Sequence, residues 1–283
     1  MHVVVTLDGE FHDPAAPLLL ADDLAAVRGD GIFETLLVRD GRPCLWDAHV
    51  QRLAHSAEAL ELPVPDADAW RRAAAAAADR WAGLSSEDGV MRLVYSRGRE
   101  SGGPPTAYIT VGALAERVAA VRSNGLAAIT LDRGLAATAS AAPWLLAGAK
   151  TLSYAVNMAA LRYAAHRGAG DVIFVSSDGW VLEGPRSTVV IATDDGLQTP
   201  PPSLPILQGT TTDALFSVAA AKGYRCERRP LQPPDLFAAH GVWLVSSITL
   251  AARVHTLDGQ PLAPCPLAGE FAELVDLAII SDR

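Results

Sequence analysis

The order of strand-like and helix-like segments constrains this chain most. Apolar, partly β-branched runs fall at residues 3–7, 32–38, 90–96 and 107–111, and helical patterns at 47–60 and 66–81. They are mixed without a regular strand–helix–strand alternation, which predicts an α+β fold rather than a doubly wound parallel sheet. The Asp40-Gly41 pair between two apolar runs signals a hairpin. Asp47 is placed to cap the first helix, where Val50, Leu53, Ala57 and Leu60 keep the spacing of one buried face. The Gly- and Pro-rich stretch at 98–105 fits neither element type and reads as a loop.

These elements form a first α+β domain over residues 1–115. Residues 116–123 read as an interdomain connector, and 124–283 as a second α+β domain that carries Lys150. There the pattern predicts a strand at 126–131 and a helix at 151–167. Leu152, Val156, Ala159, Ala160 and Tyr163 would share its face, and Gly168 would close it. A hairpin follows around Ser177-Asp178-Gly179, pairing 171–175 with 180–183. Strands are expected at 189–193 and 242–246, and helices at 213–222 and 269–280.

Half of the 283 residues are apolar, enough for proper cores. The net charge of −9 argues against a nucleic-acid or anionic-membrane surface. The three cysteines are far apart and the seven histidines form no ligand motif, so a reducing compartment and no metal are expected. The first residues lack a signal-peptide pattern, and no apolar run reaches the length of a membrane span. A soluble, cytoplasmic protein is the expectation.

Only two of the 23 basic side chains are lysines, Lys150 and Lys222, and Lys150 lies in an oily stretch. A desolvated Lys can give up its proton and bond covalently to a carbonyl, which Arg cannot. A snorkelling strand-end Lys is the plain alternative. To carry pyridoxal phosphate, Lys150 would need a phosphate cup and an acid for the pyridine nitrogen. Gly209-Thr210-Thr211-Thr212-Asp213 opens a helix and suits a phosphate, though it is also an ordinary helix start. Ser246-Ser247-Ile248-Thr249 ends a strand with further donors, or is a polar turn. Arg52 offers a charge that a phosphate wants, or a surface ion pair. Glu183 ends an apolar strand, as a loop charge or as the partner of a buried cation.

The order of these stretches resembles the class IV, or fold-type IV, pyridoxal-phosphate enzymes. The resemblance rests on Arg28-Gly29-Asp30-Gly31-Ile32-Phe33-Glu34-Thr35, His49-Val50-Gln51-Arg52-Leu53, Lys150-Thr151-Leu152-Ser153, Gly170-Asp171 through Leu182-Glu183-Gly184, Ile206-Leu207-Gln208-Gly209-Thr210-Thr211 and Leu244-Val245-Ser246-Ser247. It implies two α+β domains with the cofactor between them, usually in a homodimer. It implies that Lys150 holds pyridoxal 5'-phosphate and carries protons, and that Glu183 keeps the pyridine nitrogen protonated. Arg52, the backbone at Thr210 and Thr211, and Ser246 with Ser247 would bind the phosphate.

Within that family the chain departs from two branches. Thr151-Leu152-Ser153 stands where branched-chain aminotransferases have a Gly-Asn-Tyr-type stretch. Phe33 stands where D-amino-acid aminotransferases have Tyr, and Gly102-Gly103-Pro104 replaces their Arg-x-His carboxylate trap. Thr212 stands where many transaminases have Arg. The chain is similar to actinobacterial aminodeoxychorismate lyases, which implies release of pyruvate and 4-aminobenzoate for folate synthesis. Arg92 is the candidate for a substrate carboxylate, unless it faces solvent on an edge strand, and Thr35 alternates with Phe33 toward the same site. A transaminase of amines, D-amino acids or branched-chain amino acids is the alternative reading. A non-catalytic pyridoxal-phosphate-binding homologue is the third.

Overall fold

The computed structural model describes residues 2–281. The chain forms two compact units, one comprising the residues up to Ala115 with Ala149–Tyr154, the other Glu116–Gly148 with Ala155–Ser281.

The first unit contains β1 (His2–Thr6), β2 (Phe11–His12), α1 (Leu24–Val27), β3 (Gly31–Arg39), β4 (Arg42–Pro43), α2 (Trp46–Ala59), α3 (Ala67–Ala82), β5 (Gly89–Ser96) and β6 (Thr106–Ala113). Its strands form one antiparallel sheet in the order β2-β1-β6-β5-β3-β4. Strand alternation puts Ile32, Glu34, Leu36 and Val38 on one face, all buried. The helices α2 and α3 pack against this sheet. The alanine run of α3 lets the helix approach closely, and Trp70 and Trp81 flank it in the core. Asp66 caps α3 by accepting from the N–H groups of Asp68 and Ala69, at 3.0 Å each. Asp47 does not cap α2 as expected. Leu45, at φ 52°, turns the chain directly into the helix, and Asp47 sits in the first turn, where Arg71 binds it at 2.8 Å.

The sequence from Ala149 to Tyr154 departs most from expectation. The sequence pattern predicts a helix from residue 151, within the second domain; instead Lys150, Thr151 and Leu152 line the edge of β3, and the helix begins at Ala155. The short β4 pairs only with Val38 and Arg39, so the start of β3 has backbone groups to satisfy. Phe33 N–H donates to Lys150 O at 3.0 Å, and Leu152 N–H to Gly31 O at 2.8 Å. Strand-edge pairing thus overrides helix propensity here. Gly31 permits the close approach, since a Cβ there would lie 2.8 Å from Leu152 Cδ1.

The second unit contains α4 (Arg117–Asn124), β7 (Leu126–Asp132), α5 (Ala155–His166), β8 (Asp171–Val175), β9 (Thr188–Thr193), β10 (Gly196–Thr199), α6 (Thr210–Ala221), β11 (Cys226–Arg228), α7 (Pro233–Ala238), β12 (Gly241–Ser246), β13 (Leu250–Leu257), β14 (Gln260–Pro261) and α8 (Ala268–Ile279). Its mixed sheet runs β11-β10-β9-β12-β13-β7-β8, with β14 on β13. Ile173, Val189, Ile191, Val242, Leu244 and Val254 form the centre of one core. Trp243 stacks on Phe271 of α8 with ring centroids 3.9 Å apart.

Two further expectations change. The connector at 116–123 is helical, because Val118 is buried and α4 packs on β13. The buried positions of α5 are Ala160 and Ala164, whereas Val156 and Tyr163 are exposed. Among the described residues no helix is long and apolar enough to cross a membrane.

Candidate active site

In the first unit, α2 presents a polar stripe to the buried face of β3. His49, Arg52 and Ser56 recur at helical spacing and lie on its inner side. Glu34 alternates with Ile32 and Leu36, so its carboxylate points into the same core. Arg52 Nε and Nη2 donate to the two oxygens of Glu34 at 2.7 Å each, a side-on fork. His49 Nδ1 lies 2.7 Å from Glu34 Oε2. Burial pushes the Glu34 carboxyl up, but the charge of Arg52 and the contact with His49 prevail and hold it well below the carboxylate range. Burial lowers the His49 pKa, and the nearby Arg52 and Lys150 charges reinforce this against the pull of Glu34. The ionised Glu34 carboxylate can only accept, so His49 donates to it from Nδ1.

The last member of the stripe reaches Lys150. Lys150 N–H donates to Ser56 Oγ at 3.1 Å, and its carbonyl accepts from Phe33. Both backbone groups of the lysine are thereby pinned to the sheet and helix. Its Nζ lies 4.4 Å from the centroid of the Phe33 ring and 5.5 Å from that of Tyr154. The two rings meet edge to face, 5.2 Å apart. An ammonium is attracted by these faces, yet they exclude part of its water.

Phe33 and Thr35 occupy the opposite face of β3 from Glu34. Thr35 pairs with Arg92 and Phe33 with Val94, so Arg92 lies diagonal to Phe33 on that face. Arg92 is exposed, but β5 is an interior strand rather than an edge.

In the second unit, Glu183 receives Leu207 N–H on Oε2 at 3.1 Å, which fixes the carboxylate beside the segment that leads into α6. Thr210, Thr211 and Thr212 form the first turn of α6 and are all buried. The first amides of a helix lack intrahelical acceptors and carry its positive dipole end. Gly209 precedes them, and a Cβ there would collide with Thr188 Oγ1. Ser247 Oγ lies 3.3 Å from Thr211 Oγ1, which brings two of the predicted phosphate residues together. Ser246 Oγ instead lies 2.7 Å from Thr249 Oγ1.

Sequence reasoning missed Glu34, His49, Ser56 and Tyr154. Glu34 had a legible signal, a carboxylate at the buried parity of an apolar strand. Ser56 had none, since its partner lies 94 residues away.

The family model for aminotransferase class IV matches residues 31–257. The chain is 63% identical to a bifunctional aminodeoxychorismate lyase / D-amino acid transaminase of Mycobacterium tuberculosis, over 99% of this chain and 100% of that one. The solved pyridoxal-phosphate-bound form of a hypothetical aminotransferase from Mycobacterium tuberculosis is 64% identical with a TM-score of 0.98, covering 100% of both chains. A fold IV transaminase from Curtobacterium pusillum is 38% identical with a TM-score of 0.93, covering 99% of this chain and 98% of the other. The chain belongs to the class IV aminotransferase family and is a pyridoxal-phosphate-dependent enzyme.

Proposed function

We propose that the protein cleaves 4-amino-4-deoxychorismate to pyruvate and 4-aminobenzoate, the latter for folate synthesis. The relative at 63% identity, whose name includes this reaction, carries the reading most directly. Its name also includes D-amino acid transamination, and that favours the same second activity here.

The residues fit the cofactor. Ser187 Oγ and Thr212 Oγ1 are buried hydroxyls with no hydrogen-bond partner among the described residues, as expected where a polar ligand completes the bonding. In this reading Thr210 and Thr211 offer amides at a helix start, and Ser246 and Ser247 offer hydroxyls, to the phosphate. Arg52 adds positive charge, with its Nε–Nη2 edge held by Glu34. Glu183 balances a protonated ring nitrogen. Pyridoxal phosphate, when bound, supplies the covalent carbonyl and the electron sink.

The other steps fall to the chain's own groups. Lys150 Nζ takes the proton from the ring carbon that bears the substrate amine. The ring gains aromaticity as the bond to the enolpyruvyl oxygen breaks with its electron pair, and the released enolate takes a proton on carbon to become pyruvate. No amino acceptor enters the balance. Arg92, on the open face with Phe33 and Thr35, is the proposed partner of a substrate carboxylate.

We further propose a homodimer acting in the cytoplasm. Exposed Trp144, Val156 and Met158 supply apolar surface for association, and no disulfide joins the cysteines among the described residues. Incubating the enzyme with aminodeoxychorismate and no keto acid tests the reaction. Equal amounts of pyruvate and 4-aminobenzoate are expected; pyruvate release that depends on a keto acid would remove the lyase reading and leave the transaminase.

A further inference from the structure

Arg122 lies outside every stretch that matches the family motifs, in the helix α4 that packs on β13. Its Nε and Nη2 donate to one backbone oxygen, Ile248 O, at 3.1 and 2.6 Å. Ile248 belongs to the turn between β12 and β13, which contains Ser247 and follows directly on Ser246, the last residue of β12. A trans peptide is planar and points its C=O and N–H in opposite directions. Holding the Ile248 carbonyl toward α4 therefore turns the Thr249 N–H away from α4. That N–H donates to Ser246 Oγ at 3.1 Å. The same hydroxyl lies 2.7 Å from Thr249 Oγ1, and the next residue's hydroxyl, Ser247 Oγ, lies 3.3 Å from Thr211 Oγ1 at the start of α6.

We infer that Arg122 is a positioning residue that aims the Ser246 hydroxyl by clamping the Ile248–Thr249 peptide. The inference rests on reading this turn as part of the phosphate grip. It assigns α4 a functional task that its position in the sequence conceals.

The test uses the cofactor-free full chain and compares pyridoxal phosphate with pyridoxal, which lacks the phosphate, by quenching of tryptophan fluorescence. Arg122→Gln is expected to weaken pyridoxal phosphate about tenfold, the size of one charge-assisted hydrogen bond, and to leave pyridoxal unchanged. Arg122→Lys keeps a cationic donor and should recover part of the loss. Wild-type affinity in Arg122→Gln, or an equal loss for both ligands, would overturn the inference. Should Arg122→Gln fail to fold, Arg122→Lys decides on the same criterion, with selective weakening of the phosphate ester as the supporting result. Ser247→Ala separates the two layers. If it also leaves pyridoxal phosphate binding unchanged, the phosphate reading of the turn falls together with the inference. If Ser247→Ala weakens binding and Arg122→Gln does not, only the role of Arg122 falls.

Discussion

The two units treat polar chemistry in opposite ways. The first buries formal charge: Glu34 lies beneath the sheet, forked to Arg52 and bonded to His49. The second packs the centre of its sheet with apolar side chains, confines its buried carboxylate to Asp171 at the start of the outer strand β8, and places neutral hydroxyls and amides at element ends, in the first turn of α6 and the turn after β12. Buried charge is costly unless paired, so the first arrangement holds its geometry tightly and tolerates few changes. Hydroxyls at element ends cost little and can be lost one at a time. The difference matches what the proposed function asks of each half: fixing a reactive amine in one, and gripping an anion through several weak donors in the other.

Glu34→Ala should break this contrast most sharply. It leaves the buried Arg52 uncompensated, and removing one partner of such a pair costs about 3–5 kcal/mol, to be read as a loss of unfolding free energy in denaturant. A loss no larger than that of an exposed ion pair would show that the triad is not a structural charge lock. Glu183→Gln sits on the other side of the comparison. It should retain cofactor binding and leave stability near wild type, yet slow turnover about 10²–10³-fold, the usual size of a lost electrostatic contact to developing charge. Unimpaired turnover would exclude the assigned role. Arg92→Ala should raise KM for aminodeoxychorismate by about thirtyfold, from roughly 2 kcal/mol for a charged contact to ligand, with little change in kcat. A normal KM would discard that residue alone.

The smallest effect is on pH dependence. The His49 pKa is depressed below its ordinary 6.5, so below that pH the unfolded chain takes up a proton that the folded one resists. Stability therefore falls as pH drops through 6.5. Glu34, depressed from 4.5, adds a further loss at more acid pH. Thermal unfolding between pH 7.5 and 5.5 should show the decline, and His49→Gln should flatten it. An unchanged slope in that variant would assign the proton to another group.

Much of this division was legible in the sequence, and its gaps have physical causes. Lys150 stood out because the chain uses Arg almost everywhere else. The start of α6 and the Ser246-Ser247 turn were legible as donors at element ends. The extended path of Ala149–Tyr154 was not, because it is set by the unpaired edge of β3, a partner more than a hundred residues earlier. The helix α4 read as a connector because it buries only Val118 and shows almost no apolar periodicity. The Arg-x-His trap is absent from 102–104, yet the relative at 63% identity is named for both lyase and D-amino acid transaminase reactions.

The central claim is that Lys150, fixed by Ser56 and Phe33, is the amine that carries the cofactor. The chain has only two lysines, which makes the test direct. The protein is loaded with pyridoxal phosphate, reduced with borohydride to make the link permanent, digested and mapped by mass spectrometry. The added pyridoxyl-phosphate mass is expected on the peptide that contains Lys150 and not on the peptide of Lys222. Label on Lys222, or on neither lysine, would contradict it.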